Sequence, residues 1–311
     1  MQKIIGIGET VLDIIFRDDQ PSAAIPGGST FNAMISLGRT AGRDFPGTPV
    51  LMVTETGDDH VGDIVTSFMK ENGVDTAAVT RNQGTQTHIS LAFLDRNNNA
   101  QYEFYKDHGS ASLQADKVSG ISFGKDDLVL FGSYFAINPR IREYTRMLLQ
   151  QAHRASAILY YDINFRKSHI ADLPDTLDNI IENCRLSDIV RGSDEDFGYL
   201  FGTEDPVEIY ERHIAPLCRN FICTCGANPV HVFADGRHFT FPVPPAETVS
   251  TIGAGDNFNA GSLYAMLALG IGKDAINSAD WESIVSIAGQ FSAEVCRSMF
   301  NYVGKEFRIR F

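Results

Sequence analysis

Six short apolar runs, separated by stretches with helical spacing, constrain the fold of this 311-residue chain more than any other feature. The runs cover residues 4–8, 50–54, 128–131, 157–161, 189–190 and 221–224. Helical spacing follows at residues 31–40, 64–72, 140–155 and 177–184. Strands that are apolar throughout are typical of a parallel sheet covered on both faces. The alternation therefore predicts an α/β fold, a mainly parallel central sheet with helices on both faces, and ligands bound at the carboxyl ends of the strands.

One region departs from this alternation. Residues 85–106 alternate polar and apolar side chains on both sides of the tip Asp95-Arg96-Asn97-Asn98-Asn99, which predicts an antiparallel hairpin. Together with the apolar segment 11–16 it would form a small sheet that covers a cleft and closes over a substrate. An edge decoration without function explains the same spacing. We expect one domain over residues 1–311, with the small β layer formed by about residues 11–26 and 84–107.

Charge and cysteine content exclude several classes of protein. A net charge of −13 would repel nucleic acids and anionic membranes, so we expect neither as a partner. No apolar run is long enough to span a bilayer. Five cysteines at irregular spacing, and a start that runs directly into a strand without a signal peptide, predict a cytoplasmic protein. Cys223-Thr224-Cys225 lies in an apolar run, where cysteine acts as a small hydrophobic residue.

The glycine-rich segment Thr251-Ile252-Gly253-Ala254-Gly255-Asp256 directly precedes a helical pattern over residues 257–269. The first turn of a helix presents unpaired backbone N–H groups and the positive end of the helix dipole, so this segment suits a bound phosphate. A carboxylate beside a phosphate is repelled unless a metal or a proton transfer requires it. Asp256 is therefore a candidate base, and helix capping is the alternative function of this residue.

A second glycine pair occurs early in the chain, in Gly27-Gly28-Ser29-Thr30-Phe31-Asn32. The glycines would let a ligand touch the backbone, the two hydroxyl residues are expected to cap the helix that follows, and the Asn32 amide suits a polyol. Asp13, inside an apolar run, needs fixed donors, which are either sugar hydroxyls or, alternatively, backbone amides or a neighbouring Arg. Each of these features also has an ordinary structural explanation.

Two polar segments follow later strands. Asp162, Asn164 and Arg166 would project to one side if their strand continued, and Arg166 suits a phosphate. Ser193-Asp194-Glu195-Asp196 follows the run at residues 189–190. Its acids are explained either by a solvated helix start or by a magnesium site.

With these segments in this order, the chain resembles ribokinase-like (PfkB) carbohydrate kinases over essentially its whole length. Ser250-Thr251-Ile252-Gly253-Ala254-Gly255-Asp256 is similar to the closing signature of that family, and Gly27-Gly28 to its early one. The resemblance implies a ribokinase-like fold and ATP-dependent phosphorylation of a sugar hydroxyl. It implies that Asp256 is the catalytic base, that the Gly253, Ala254 and Gly255 amides stabilise the transferred phosphoryl group, and that the small sheet is a lid.

Fructokinases are the most similar members, so fructose or a related ketose is the expected substrate. Ribokinases, 2-keto-3-deoxygluconate kinases and nucleoside kinases share the scaffold, and the aromatic residues Phe93, Phe104 and Tyr105 keep a nucleoside acceptor open. A catalytically silent sugar-binding protein is a further alternative. An exposed hairpin often pairs with a copy of itself, so a homodimer through the lid is expected.

The binding residues are assigned from these segments and the resemblance together. The expected sugar ligands are Asp13, Gly27, Gly28, Asn32, Phe104, Asn164 and Arg166. The expected ATP ligands are Ser193, Thr224, Gly226, Asn228, Thr251, Gly253 and Gly255, and Asp196 would hold Mg²⁺ through water.

The chain departs from the family pattern at two positions. Ser250 replaces the Asp that opens the closing signature, beside a monovalent-cation site, which argues against a dependence on K⁺. Pro229 replaces the second glycine of a Gly-x-x-Gly turn, where it fixes φ and removes a donor, so the adenine loop is expected to differ in geometry.

Overall fold

The computed structural model describes residues 2–94, 100–105, 120–244 and 248–310. The strands are β1 (Ile4–Ile7), β2 (Val11–Arg17), β3 (Gln20–Gly27), β4 (Val50–Gly57), β5 (Val79–Asn82), β6 (Ile89–Leu94), β7 (Ala100–Tyr105), β8 (Leu128–Gly132), β9 (Ile158–Asp162), β10 (Ile189–Ser193), β11 (Asn220–Thr224), β12 (Val230–Ala234) and β13 (Arg237–Phe241).

The α-helices alternate with the strands of the larger sheet. They are α1 (Ser29–Arg39), α2 (Ala41–Asp44), α3 (His60–Glu71), α4 (Ser133–Ile137), α5 (Arg142–Arg154), α6 (Leu173–Leu186), α7 (Asp194–Phe201), α8 (Pro206–Ile209), α9 (Ala254–Ala268) and α10 (Trp281–Cys296). Short 3₁₀ segments at Lys167–Asp172 and Lys273–Ser278, and a π turn at Tyr210–Ile214, complete the helical structure. No helix in the described part of the chain is long and apolar enough to cross a bilayer.

The larger sheet has nine strands in the order β13-β12-β11-β10-β9-β8-β1-β4-β5. Pairing is parallel from β11 to β5, and the edge strands β12 and β13 add antiparallel. The predicted mainly parallel sheet is therefore confirmed. All six predicted strands are present, with ends that shift by one to three residues.

Helices cover both faces of this sheet, as the uniformly apolar strands predicted. Ile4 belongs to a core shared with α1, α9 and α10, whereas the next residue, Ile5, belongs to a core shared with α5 to α8. Successive side chains of a strand point to opposite faces, so one short apolar strand contributes to two cores.

A separate four-stranded sheet has the order β3-β2-β6-β7. Its outer pairs are antiparallel and the central pair, β2 with β6, is parallel. The predicted hairpin is thus confirmed as β6 and β7, although its tip at 95–99 and Lys106 lie outside the described residues. The parallel pairing of β2 with β6 joins the hairpin to residues 11–27, so all four strands form one sheet.

The cysteines occur as free thiols. Cys223, in β11, and Cys225 are buried, in agreement with the prediction that this segment is part of an apolar core. Among the described residues, no group of three His, Cys, Asp or Glu side chains converges in a way that would hold a metal ion.

Candidate active site

A cleft of about 2510 Å³ lies where the carboxyl ends of the central strands meet the small sheet and the start of α9. Most of the predicted site residues line it: Asp13, Gly28, Asn32, Asn164, Arg166, Ser193, Asp196, Thr224, Gly226, Thr251, Gly253, Ala254, Gly255 and Asp256. Gly27 and Asn228 are not among the lining residues. Phe104 lies in β7, and its side chain is outside the described part of the chain.

The start of α9 forms the floor of the cleft. Gly253 is the N-cap residue with φ 79°, a left-handed conformation that glycine adopts without steric cost. The Ala254 amide donates to the Thr251 carbonyl oxygen at 3.2 Å and so belongs to the turn itself. Among the described residues, no hydrogen bond uses the Gly255 or Asp256 amide. These two N–H groups lie at the positive end of the helix dipole, where a bound anion would gain hydrogen bonds and charge stabilisation.

Asp256 is the third residue of α9, and its side chain is buried. One carboxylate oxygen accepts from Ser29 Oγ at 2.6 Å and the other from Asn32 Nδ2 at 2.8 Å. In the described part of the chain no side chain, that of Asp256 included, caps α9, so the alternative in which Asp256 merely caps this helix is wrong. Burial raises the pKa of the Asp256 carboxyl, and the bonds from Asn32 and Ser29 offset only part of that effect.

Helix α1 carries the partners of Asp256. It begins at Ser29 with Gly28 as N-cap and without a side-chain cap, so the prediction that the hydroxyl pair caps this helix is wrong. The Ser29 hydroxyl instead reaches Asp256 across the cleft. Asn32 lies in the first turn, as predicted, and its buried Oδ1 has no hydrogen-bond partner among the residues that the structure describes. A buried acceptor without a donor is suited to a ligand hydroxyl.

Gly28 is required by close packing at this helix start. Its φ is 120°, and a Cβ atom there would lie 2.5 Å from the Glu9 carbonyl oxygen. Both the backbone conformation and the contact exclude a larger residue without rearrangement. The glycine therefore lets the start of α1 approach the loop that follows β1.

Asp13 projects from β2 into the same cleft, opposite the main sheet. It accepts a short hydrogen bond from the Ser90 hydroxyl of β6, and a Cβ atom on Gly27 would lie 2.5 Å from Asp13 Oδ2. Burial raises the pKa of Asp13 to about 6, Ser90 opposes the shift and Glu9 adds to it. Sequence reasoning missed Ser90, because only the parallel register of β2 with β6 reveals this contact.

The acids after β10 form a capping box. Ser193 Oγ accepts from the Asp196 amide at 3.1 Å, and the Asp196 carboxylate accepts from the Ser193 amide at 2.8 Å. Burial raises the pKa of Asp196 to about 6, and the charge of Asp162 adds to this effect. Asp196 therefore belongs to the helix start, although it is buried and not solvated as that explanation expected, and together with Glu195 it lines the cleft.

The segment after β9 does not continue as a strand, so the prediction that three polar side chains share one side is wrong. The strand ends at Asp162, and Asn164 turns with φ 38° and donates to Ser133 Oγ at 2.7 Å. Asn164 and Arg166 line the cleft, whereas Asp162 is buried beneath it. Because Asn164 adopts a left-handed conformation, the alternation of side chains that the prediction assumed ends at this residue.

Arg191 of β10 is a cleft residue that sequence reasoning did not assign. It is 5% exposed and forms a buried ion pair with Asp162, with Nη1 3.0 Å from Oδ1. Its Nη2 donates to Thr224 Oγ1 at 2.7 Å. The available signal was a single basic residue directly after the apolar run at residues 189–190, because a charge buried at a strand end requires a partner.

The loop after β11 contains two of the expected ATP ligands, Gly226 and Asn228. Gly226 has φ 60°, and the Asn228 amide donates to the Cys225 carbonyl oxygen at 2.9 Å. That bond closes a turn directly before Pro229, where the family pattern has a second glycine. Gly226 faces the cleft, and the turn holds Asn228 away from it.

Known proteins are similar to this chain in both sequence and fold. Residues 1–299 match the profile of the pfkB family carbohydrate kinases. A fructokinase from Rhizobium leguminosarum bv. trifolii is 30% identical over 272 residues, which cover 85% of this chain and 79% of that enzyme.

Two solved structures resemble the fold over nearly its full length. Aminoimidazole riboside kinase from Salmonella enterica, complexed with aminoimidazole riboside and an ATP analog, has a TM-score of 0.81 at 19% identity and covers 98% of this chain and 97% of its own. A fructokinase from Vibrio cholerae O395 in a form bound to fructose, ADP and calcium ion has a TM-score of 0.81 at 21% identity, with 97% and 94% covered. These two similarities establish a shared ribokinase-like fold.

Proposed function

Because the chain belongs to the pfkB family of carbohydrate kinases, we propose that it transfers the γ-phosphoryl group of ATP to a hydroxyl of fructose or a related ketose. Family membership makes the chain an ATP-dependent sugar phosphotransferase. The ketose is the proposed part, and it is supported by the fructokinase that is 30% identical to this chain.

The observation that carries this proposal is the position of Asp256 beside the free amides of α9. Its carboxylate is fixed by Ser29 and Asn32, and burial raises its pKa, which makes it a stronger base. A base at this point accepts the proton of the attacking hydroxyl while the adjacent amides of Gly255 and Asp256 take up charge on the phosphoryl group. Phosphoryl transfer requires mainly this combination of position and electrostatics.

The sugar would lie between α1 and the small sheet. Asp13 accepts hydrogen bonds from sugar hydroxyls, and the unpaired Oδ1 of Asn32 accepts one more. Gly28 lets the sugar approach the backbone. The nucleotide would lie across the ends of β10 and β11, where Ser193, Thr224 and Gly226 line the other side of the cleft.

The residues fit a magnesium ion that enters with the nucleotide. Magnesium is commonly held by one or two carboxylates together with water and phosphates, and the described cleft offers the buried Asp196 for this role. When bound, the ion neutralises charge on the ATP phosphates. Asp196 would hold the ion through water, and the hydrogen bond from the Ser193 amide fixes its carboxylate.

The small sheet would act as a lid that excludes water from the reaction, which protects ATP from hydrolysis. Phe16 and Phe93 stack on it with ring centroids 4.9 Å apart and remain partly exposed. This apolar contact supports pairing of two lids in a homodimer. Analytical ultracentrifugation of Phe93→Asp against the wild type tests the pairing: a monomeric variant supports it, and a monomeric wild type contradicts it.

The chain is also proposed to work in the cytoplasm. All five cysteines are free thiols, four of them buried, and such cysteines persist in a reducing compartment.

A coupled ADP-release assay tests the proposed substrate. The panel contains fructose, ribose, 2-keto-3-deoxygluconate and nucleosides, each with and without K⁺, and Asp256→Asn measures the background. Fructose is expected to give the highest kcat/KM without a requirement for K⁺. A nucleoside as the best acceptor would support the nucleoside kinase alternative, which the fold of the riboside kinase keeps open. Sugar binding without ATP turnover would identify a silent binding protein.

A further inference from the structure

Arg191 joins three neighbouring strands at the nucleotide side of the cleft. From β10 its guanidinium donates to Asp162 at the end of β9, at 3.0 Å, and to Thr224 at the end of β11, at 2.7 Å. The residue is 5% exposed, yet it is one of those that line the cleft. A buried guanidinium is costly to desolvate, so its retention beside a cleft requires an explanation beyond stability.

The same guanidinium packs directly against the start of α9. The nearest atoms to a Cβ position on Gly255 are Arg191 Nη2 and Nη1, at 2.9 and 3.0 Å. Gly255 is thus a glycine because the guanidinium occupies the space of its side chain. Asp162 makes a second link to α9, because its other carboxylate oxygen accepts from Asn259 Nδ2 at 2.7 Å.

The charge of Arg191 is fixed. Burial lowers the pKa of the guanidinium, but Asp162, Tyr160 and Asp196 together more than compensate, so the pKa is raised overall and the group stays cationic. The guanidinium, rather than the Asp162 carboxylate, faces Gly255. Its positive charge therefore adds to the helix dipole at the two free amides.

We infer that Arg191 is a positioning residue for phosphoryl transfer: it holds the Gly255 backbone and the Thr224 hydroxyl in place and supplies a fixed positive charge beneath the phosphate end of the cleft. This inference rests on the proposed function, in which the Gly255 amide meets the γ-phosphoryl group. The effect of Arg191 is specific to the γ-phosphoryl group, because the contacts of Arg191 lie at the start of α9 and not at the sugar side of the cleft.

The test compares Arg191→Met, Arg191→Lys and the double variant Asp162→Asn/Arg191→Met. Methionine removes the charge and leaves Asp162 buried without its partner, so the single variant is expected to be less stable. The double variant removes both charges and keeps an amide oxygen for Asn259. Arg142→Met is the matched control, because Arg142 bonds to Glu182 and Asn183 between α5 and α6, away from the residues that line the cleft.

Steady-state kinetics with ATP and the best sugar of the panel give the first result. Arg191→Met and the double variant are expected to lose about 100-fold in kcat, a typical effect of weakening an anion site, while the KM for the sugar changes less than about threefold. The kcat of Arg191→Lys should be at least about tenfold higher than that of Arg191→Met. Lysine retains the positive charge, although it lacks the paired N–H donors of the guanidinium. Arg142→Met should lose thermal stability and keep the wild-type kcat. A wild-type kcat in the double variant would overturn the inference.

Calorimetric titration with AMP-PNP and ADP gives a second result that does not require turnover. Arg191→Met or the double variant should bind AMP-PNP about tenfold more weakly and ADP less than about threefold more weakly, because only AMP-PNP places a group at the γ position. Equal losses for the two nucleotides would overturn the inference. If no sugar stimulates the wild type, the proposed ketose kinase is wrong, and the difference between the two nucleotides still decides the role of Arg191.

Discussion

Asn32 donates a hydrogen bond of 2.8 Å to Asp256, and this contact joins the first turn of α1 to the first turn of α9 across 224 positions of the sequence. Ser29 holds the second carboxylate oxygen from the same helix. Two helix starts therefore fix one buried carboxylate. If Asp256 is the base, as proposed, this arrangement places it beside the free amides without a rearrangement of its side chain.

Asp256→Asn is expected to lower kcat by on the order of 10² to 10⁴, the usual contribution of a general base, with little change in the KM for the sugar. Asparagine keeps the shape of the side chain and removes its basicity. The measurement is steady-state ADP release with saturating sugar. Asp127→Asn is the control, because Asp127 is buried but accepts from the Lys3 and Gly124 amides and is not a cleft residue. Near-normal turnover of Asp256→Asn would remove this residue from the mechanism.

The fold could be predicted from the sequence because its signals are local. Uniformly apolar strands such as β1 and β8 can only be covered on both faces, and the glycine-rich segment at Gly253 marks the start of α9. The antiparallel edge made by β12 and β13 was not predicted, because residues 230–241 mix polar and apolar side chains that have no single period.

The contacts of the site could be predicted only in part, because they depend on register between distant elements. The sequence identified Asp13 as a carboxylate that needs donors, but Ser90 became its partner only through the pairing of β2 with β6. In the same way, local sequence preference predicted that Ser29 caps α1. The packing of α1 against α9 instead brings the Ser29 hydroxyl within hydrogen-bond distance of Asp256. Long-range packing decided each of these roles.

Gly28→Ala should reduce both stability and turnover. A side chain at φ 120° is strained, and its Cβ would lie 2.5 Å from the Glu9 backbone oxygen, so α1 would have to move together with Asn32. The expected loss is about 3 kcal/mol in the free energy of unfolding, with at least about a tenfold loss in kcat/KM. Chemical denaturation and the ADP-release assay measure these effects.

Gly236→Ala is the matched control for Gly28→Ala. Gly236, in the turn between β12 and β13, also has a positive φ, 69°, but a Cβ there meets no described atom within 4 Å, and the residue is not among those that line the cleft. It should cost about 1 kcal/mol for the left-handed conformation and leave kcat/KM unchanged. Equal effects of the two substitutions would show that backbone strain alone, and not the contact with Glu9, determines the result.

Ser193→Ala should destabilise α7 and weaken ATP binding. The substitution removes the acceptor for the Asp196 amide and thereby loosens the carboxylate that is proposed to orient magnesium. A lost cap costs about 1 kcal/mol, and a higher KM for ATP is expected with the KM for the sugar unchanged. Ser193→Thr retains the hydroxyl and should behave as the wild type. A loss of stability in Ser193→Ala without any effect on the KM for ATP would restrict Ser193 to a structural role.

The pH dependence of stability should reveal the cost of keeping Asp13 ionised. Its pKa is raised from 3.8 to about 6 in the folded protein, chiefly by burial, so the folded state holds this proton more tightly than the unfolded state does. The stability that results is fully present below the unfolded pKa and is lost as the pH rises through about 6. Over that range the contribution amounts to roughly 3 kcal/mol.

Asp13→Asn isolates this contribution, because the amide oxygen still accepts from Ser90 but cannot ionise. The variant should gain stability relative to the wild type as the pH rises from 4 to 8, while its KM for the sugar increases. Asp280→Asn should show the opposite trend at lower pH: the hydrogen bonds from Ser283 lower the pKa of Asp280 below 3.8, so the relative stability of the variant falls as the pH rises towards 3.8 and stays constant at higher pH. Thermal unfolding at a series of pH values measures both differences. If Asp13→Asn tracks the wild type at every pH, Asp13 is not the group whose ionisation opposes folding at neutral pH.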